Sequence, residues 1–182
     1  METKAGALDR IRKFGGHMSG MVMPNLGAFV GWGLLAALFI PTGWIPNEKL
    51  NEMVGPILNY LLPLLIGYTA GYNIHGQRGG VIGAFTTMGV IVGSDITMFS
   101  GAMIMGPFSS WLLKKFDHAV EGKIKPGFEM LINNFSLGIL GFALAILGYL
   151  IIGPVVNAII AFLTAGINFL IAKKLIPLLA VF

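Results

Sequence analysis

Long apolar stretches recur along this chain, each able to carry a helix across the roughly 30 Å hydrocarbon core of a bilayer. Four are clear: 21–41 (MVMPNLGAFVGWGLLAALFIP), 53–72 (MVGPILNYLLPLLIGYTAGY), 129–153 (EMLINNFSLGILGFALAILGYLIIG) and 154–172 (PVVNAIIAFLTAGINFLIA). A fifth stretch, 80–113, exceeds one plain span and is interrupted by Gly93, Ser94, Asp95, Gly106 and Pro107. Two short crossings or a re-entrant hairpin fit it. With 55% hydrophobic and 11% charged residues among 182, one water-facing globule cannot hide this surface. The expected fold class is an all-α polytopic membrane protein: four clear transmembrane helices plus a re-entrant or two-crossing segment at 80–113. The 26 glycines suit closely packed membrane helices.

The formal charge of +4 does not form a basic face of the kind that binds nucleic acid; Lys and Arg sit in short clusters between the apolar runs. They read as topology signals, because short loops rich in Lys and Arg stay on the cytoplasmic side. One path satisfies Arg10, Arg12 and Lys13, then Arg78, then Lys114, Lys115, Lys123 and Lys125, then Lys173 and Lys174. The amino terminus is inside, 21–41 goes out, 53–72 returns, 80–113 dips and comes back, and the last two spans go out and return. Residues 1–20 are then a cytoplasmic amino-terminal segment, and 21–182 the membrane domain. Trp44 and Trp111 fall near opposite interfaces. The run behind the first basic cluster contains Pro24 and Asn25 and lacks a small-residue cleavage site, so it reads as retained.

Chemistry is sparse. Zero Cys removes disulfides, thiolate metal sites and a cysteine nucleophile. GQRGG at 76–80 lacks the Lys and Ser/Thr of a phosphate-binding loop, so no catalytic residue, metal or cofactor is expected. Asp95 is the one acidic residue in the ambiguous stretch: an ionisable group within a membrane is a functional candidate, and in GSDITMF it equally fits a helix cap. Asn133 and Asn134, beside Glu129, can hydrogen-bond a polyhydroxy ligand or glue helices together, and Asn25 and Asn59 carry the same alternatives. Trp32 lies mid-span, a platform for a sugar face or a packing residue. The substrate-path candidates are therefore Trp32, Asp95, Asn133, Asn134 and Glu129. His17, His75 and His118 read as solvated surface histidines. Glycine pairs four apart (Gly16/Gly20, Gly27/Gly31, Gly67/Gly71, Gly79/Gly83, Gly89/Gly93) favour close helix packing over a substrate path. GPILN at 55–59 is faintly echoed by GPVVN at 153–157.

Several strings together are more specific: MVMPNLGAF at 21–29, LFIPTGWIPNE at 38–48, VGPILNYLLPLLIGYT at 54–69, TTMGVIVGSD at 86–95 and GFEMLINNFS at 127–136. Over nearly the entire chain they resemble the membrane C domain of the mannitol-specific permeases of the bacterial phosphotransferase system. The resemblance implies a homodimeric, multi-pass inner-membrane group translocator. Its C domain carries mannitol or a related hexitol inward to a B domain, whose phosphocysteine is charged from phosphoenolpyruvate through phosphocarrier proteins and an A domain. It also implies that residues 73–128 correspond to a cytoplasmic loop, and the apolar character of 80–113 argues that part of it dips into the membrane. The family's Asn-Asn and His-Gly stretch and its Gly-Ile-His-Glu motif would lie beyond Phe182, and no B domain is present. The terminal LIPLLAVF, after Lys174, reads as a truncated or fragmentary end. The alternatives to a transporter part are a non-transporting membrane scaffold that pairs with a full-length permease, and a polyol facilitator.

Overall fold

The computed structural model describes residues 2–124 and 127–172, and every regular element among them is helical. Lys125, Lys173, Lys174 and the apolar run 175–182, on which part of the expected topology rested, lie outside the described residues. Helix α1 (Glu2–Val22) passes through one tight turn (Met23–Asn25) into α2 (Leu26–Phe39). Pro24 sits at the start of that turn, where its missing N–H leaves no bond unmade. Asn47 caps α3 (Glu48–Asn51) by accepting from Leu50 N at 3.2 Å. Then come α4 (Val54–Pro56), a widened turn (Ile57–Leu61) and α5 (Leu62–Val92).

Helix α5 is a hairpin, not a rod. At His75 (φ −143°, ψ 35°) and Gly76 (φ 57°, ψ −148°) the backbone reverses, the second in a left-handed region that glycine enters without strain. The legs 62–74 and 77–92 then return backbone to backbone. A Cβ on Gly71 would collide with the Gly79 carbonyl, one on Gly83 with the Gly67 carbonyl, and one on Gly67 with Thr87. In lipid no hydrophobic force drives helices together, so such close approach of small residues supplies the dispersion contact that holds them.

Helix α6 (Phe99–Val120) fills the groove of this hairpin. Ser110 Oγ donates to the Gly71 carbonyl at 2.8 Å, Thr86 Oγ1 donates to Ser109 Oγ at 3.0 Å, and a Cβ on Gly106 would stand 2.7 Å from the Gly67 carbonyl. Leu62, Ile66, Ile82, Val90, Met98, Met105 and Leu113 make a fully or almost fully enclosed core. Helix α7 (Glu129–Leu147) runs parallel to the second leg, Gly141 against Phe85, Gly89 against the Ala145 backbone and Gly93 against that of Tyr149. A second widened turn (Gly148–Ile152) leads into α8 (Gly153–Ala172). By contrast, α2 contains no buried residue, and Gly27 and Gly31 face open space.

The partition into spans differs from expectation. Among the described residues three runs are long and apolar enough to cross a membrane, Arg12–Phe39, Glu48–Val92 and Glu129–Asn168, where four separate spans plus a re-entrant or two-crossing segment were expected. No turn separates 129–153 from 154–172. The division was placed between Gly153 and Pro154, but the widened turn that precedes them moves the carbonyls with which a proline ring would clash, and the helix continues. The stretch 80–113 is helix, loop and helix, broken at 93–98, where Gly93, Ser94 and Asp95 had suggested. Gly106 and Pro107 lie inside α6 and do not break it.

Candidate functional site

The loop 93–98 borders a cavity of about 640 Å³ lined by Asn59, Tyr60, Ile91, Val92, Ser94, Asp95, Ile96 and Thr97, within the size range of small-ligand sites. Its geometry follows from the sequence. Gly93 is pressed against the Tyr149 and Gly153 backbones, which fixes where the second leg ends. Ser94 Oγ then accepts from Ile96 N at 3.2 Å, folding the chain into a tight turn. Two asparagines hold the loop from either side: Ser94 Oγ donates to Asn157 Oδ1 on α8 at 2.7 Å, and Thr97 Oγ1 donates to Asn59 Oδ1 on the widened turn at 2.7 Å. Each of these bonds engages one end of a carboxamide, and no side-chain hydrogen bond among the described residues uses the other. Asp95 is exposed and caps nothing: α6 begins at Phe99, and its N-cap, Met98, makes no side-chain capping bond. The cavity therefore offers a carboxylate acceptor, hydroxyls and a carboxamide, the groups that exchange hydrogen bonds with vicinal hydroxyls.

A second polar cluster closes the opposite end of the second leg. Asp117 on α6 accepts from Arg78 Nε at 3.0 Å and from its Nη2 at 2.9 Å, in the planar fork geometry that makes Arg–carboxylate pairs strong. Arg78 Nη1 donates to the Asn133 carbonyl at 2.7 Å and Nη2 to Ser136 Oγ at 3.2 Å, tying in α7. His75 Nε2 lies 2.6 Å from the same carboxylate, and Lys114 Nζ donates to the Ile74 carbonyl at 3.4 Å. The reversal at His75 and Gly76 is thus fastened to α6 and α7. His75, expected as a solvated histidine, is 23% exposed and engaged, because the hairpin turns its ring onto α6. Arg78 likewise does more than mark topology.

The candidates do not come together. Asp95 lines the loop cavity. Asn133 contributes its backbone carbonyl to the Arg78 cluster, about 24 Å away along a sixteen-residue leg. Asn134 borders a shallow groove with Phe135, Gly138 and Ile139. Glu129 Oε2 accepts from Gly127 N at 2.8 Å at the start of α7, and Trp32 Nε1 donates to the Val54 carbonyl at 3.0 Å. Asn25 is helix glue, its Nδ2 donating to Thr69 Oγ1 at 2.9 Å across to α5. Asn59 was among the residues weighed, but Asn157, Ser94 and Thr97 were not candidates. The signal that could have found them is the GPILN/GPVVN echo, whose asparagines are the two that grip the loop. Among the described residues no group of His, Cys, Asp and Glu could hold a metal.

Comparison with known sequences bears on what this arrangement serves. The family model described as "Phosphotransferase system, EIIC" matches residues 19–182. The chain belongs to that family. Among similar EIIC proteins, the "PTS system mannitol-specific EIICBA component" of Escherichia coli (strain K12) is 58% identical over 173 residues, covering 95% of this chain and 27% of the relative. The "PTS system mannitol-specific EIICB component" of Geobacillus stearothermophilus is 56% identical over 181 residues, covering 100% of this chain and 38% of the relative. That of Streptococcus mutans is 56% identical over 179, covering 98% and 30%. The chain thus spans about a third of the length of these relatives. No solved structure matches.

Proposed function

We propose that this chain supplies the amino-terminal part of the membrane domain of a mannitol-specific phosphotransferase permease, and that the loop cavity around Asp95 is part of its sugar path. The relatives' names support the substrate, mannitol or a related hexitol. The observation that carries the site is the cavity itself, which gathers Asp95, Asn59, Ser94 and Thr97 at a break between otherwise apolar helices. A carboxyl group in a break between apolar membrane helices is a functional candidate by default. In this reading the B and A regions named in the relatives supply the phosphoryl group, and this chain contributes binding and passage only. It sits in the bacterial inner membrane, as one half of a homodimer, with its amino terminus and the Arg78 cluster cytoplasmic and the loop 93–98 directed outward. The scaffold alternative finds no support among the relatives.

The test is a chimera in which residues 1–181 replace the matching segment of the Geobacillus stearothermophilus EIICB protein. It should take up and phosphorylate mannitol, and Asp95→Asn should reduce uptake at least tenfold while membrane insertion is unchanged. A chimera that inserts but neither binds nor phosphorylates mannitol would end the proposal, and full uptake by the Asp95→Asn chimera would remove Asp95 from the path.

A further inference from the structure

The two asparagine grips on the loop are not equivalent. At the Ser94 end the chain is pinned several times over: Ser94 bonds Asn157 and Ile96, and the Gly93 backbone is wedged against those of Tyr149 and Gly153. At the Thr97 end a single side-chain bond joins the loop to Asn59, and both partners line the cavity. Asn59 stands on the widened turn Ile57–Leu61, a helical irregularity that recurs at functional sites.

Resting on the sugar-path reading above, we propose that Thr97 Oγ1 occupies on Asn59 the place of a substrate hydroxyl, so that the Thr97–Asn59 bond is a latch opened when a polyol exchanges for it. Chemically the exchange is even. A secondary alcohol on threonine gives way to a secondary alcohol on the polyol, the carboxamide keeps a partner throughout, and the freed threonine hydroxyl can bond water in the cavity. Because Gly93 is wedged at one end and Met98 is fully buried at the other, opening is a local movement of residues 95–97 between these two anchors. Asn59 and Thr97 then have opposite effects on affinity: the amide is shared between latch and ligand, whereas the hydroxyl competes with the ligand. A closed latch lowers apparent affinity by the fraction of molecules in the open state.

Two readouts decide it. The first needs no sugar: in this cysteine-free chain, Ile91→Cys places one thiol at a cavity-lining position that is 6% exposed, and its rate of reaction with a small water-soluble maleimide reports opening. Thr97→Val, close in shape to threonine, should raise that rate about fivefold, the equilibrium effect of one lost hydrogen bond. An unchanged rate overturns the latch. The second is mannitol KM in the chimera: Thr97→Val should lower it several-fold and Asn59→Leu should raise it. If Thr97→Val raises KM as Asn59→Leu does, Thr97 is an ordinary contact and the exchange is refuted. A chimera that takes up no mannitol defeats the sugar-path reading, whereas the maleimide rate still judges the latch.

Discussion

Replacing Arg78 by Leu tests whether the hairpin is fastened at its base as described. Arg78 makes two bonds to Asp117, one to the Asn133 carbonyl and one to Ser136 Oγ. An exposed ion pair contributes about 0.2–1 kcal/mol, while removing one partner of a buried pair costs about 3–5 kcal/mol. The two side chains are 27% and 19% exposed, between those limits and nearer the buried one. Arg78→Leu should therefore destabilise the chain by about 2–3 kcal/mol, since it strands a carboxylate that keeps His75 as its partner and removes the tie from the hairpin to the Asn133 carbonyl, which retains Ser136 Oγ as a donor. Asp117→Leu should cost about the same, because it strands the guanidinium. Removing both strands neither charge, so the double variant should lose about 2–3 kcal/mol as well, well short of the sum, a coupling of about 2 kcal/mol. The assay is reversible unfolding of the purified chain in mixed micelles by titration with dodecyl sulfate, followed by helical circular dichroism. Strictly additive losses, or a single-variant loss below about 0.5 kcal/mol, would refute a partly buried shared network.

Two further perturbations use the same chain. Gly89→Ala drives a methyl into the Ala145 carbonyl and should cost about 1–3 kcal/mol, while Gly31→Ala, with nothing within 4 Å, should be neutral or stabilising by up to about 1 kcal/mol; dodecyl sulfate unfolding that reverses this order contradicts the helix seam. Asn25→Leu removes the bond to Thr69 that ties the first helical run to α5, so disulfide formation between Phe29→Cys and Phe99→Cys, whose parent rings are 5.7 Å apart, should fall about fivefold for a loss of roughly 1 kcal/mol, and unchanged cross-linking would show that the run is held by something else.

The sequence disclosed what depends on composition along the chain. Apolar length announced a membrane protein, Gly93, Ser94 and Asp95 marked a true break, and three glycine pairs, Gly67/Gly71, Gly79/Gly83 and Gly89/Gly93, mark helix contacts. It did not disclose which glycines would find partners: Gly27 and Gly31 have the same spacing and touch nothing, because spacing fixes a face but not what lies opposite. The division before Pro154 failed for a related reason. A proline forbids one backbone bond, and a widened turn satisfies that prohibition without ending the helix. The site was half legible. Asp95 drew attention as a charge among apolar neighbours, but Asn157 is 62 positions away in sequence and meets the loop only because α7 runs parallel to the second leg of α5. Trp32 and Asn133 were selected by type and depth, and neither property says where a side chain points.

The second leg of the hairpin is short. Its sixteen residues, 77–92, rise about 24 Å against a hydrocarbon layer of about 30 Å. With the Arg78 cluster anchored at one face in the proposed orientation, the loop and its cavity stop about 6 Å beneath the other. Water entering the cavity from that side thins the insulating layer locally, and a membrane voltage falls across the thinner remainder. Asp95 then sits at the edge of a focused field, so a charge passing it meets a steeper electrical gradient than it would across the surrounding lipid.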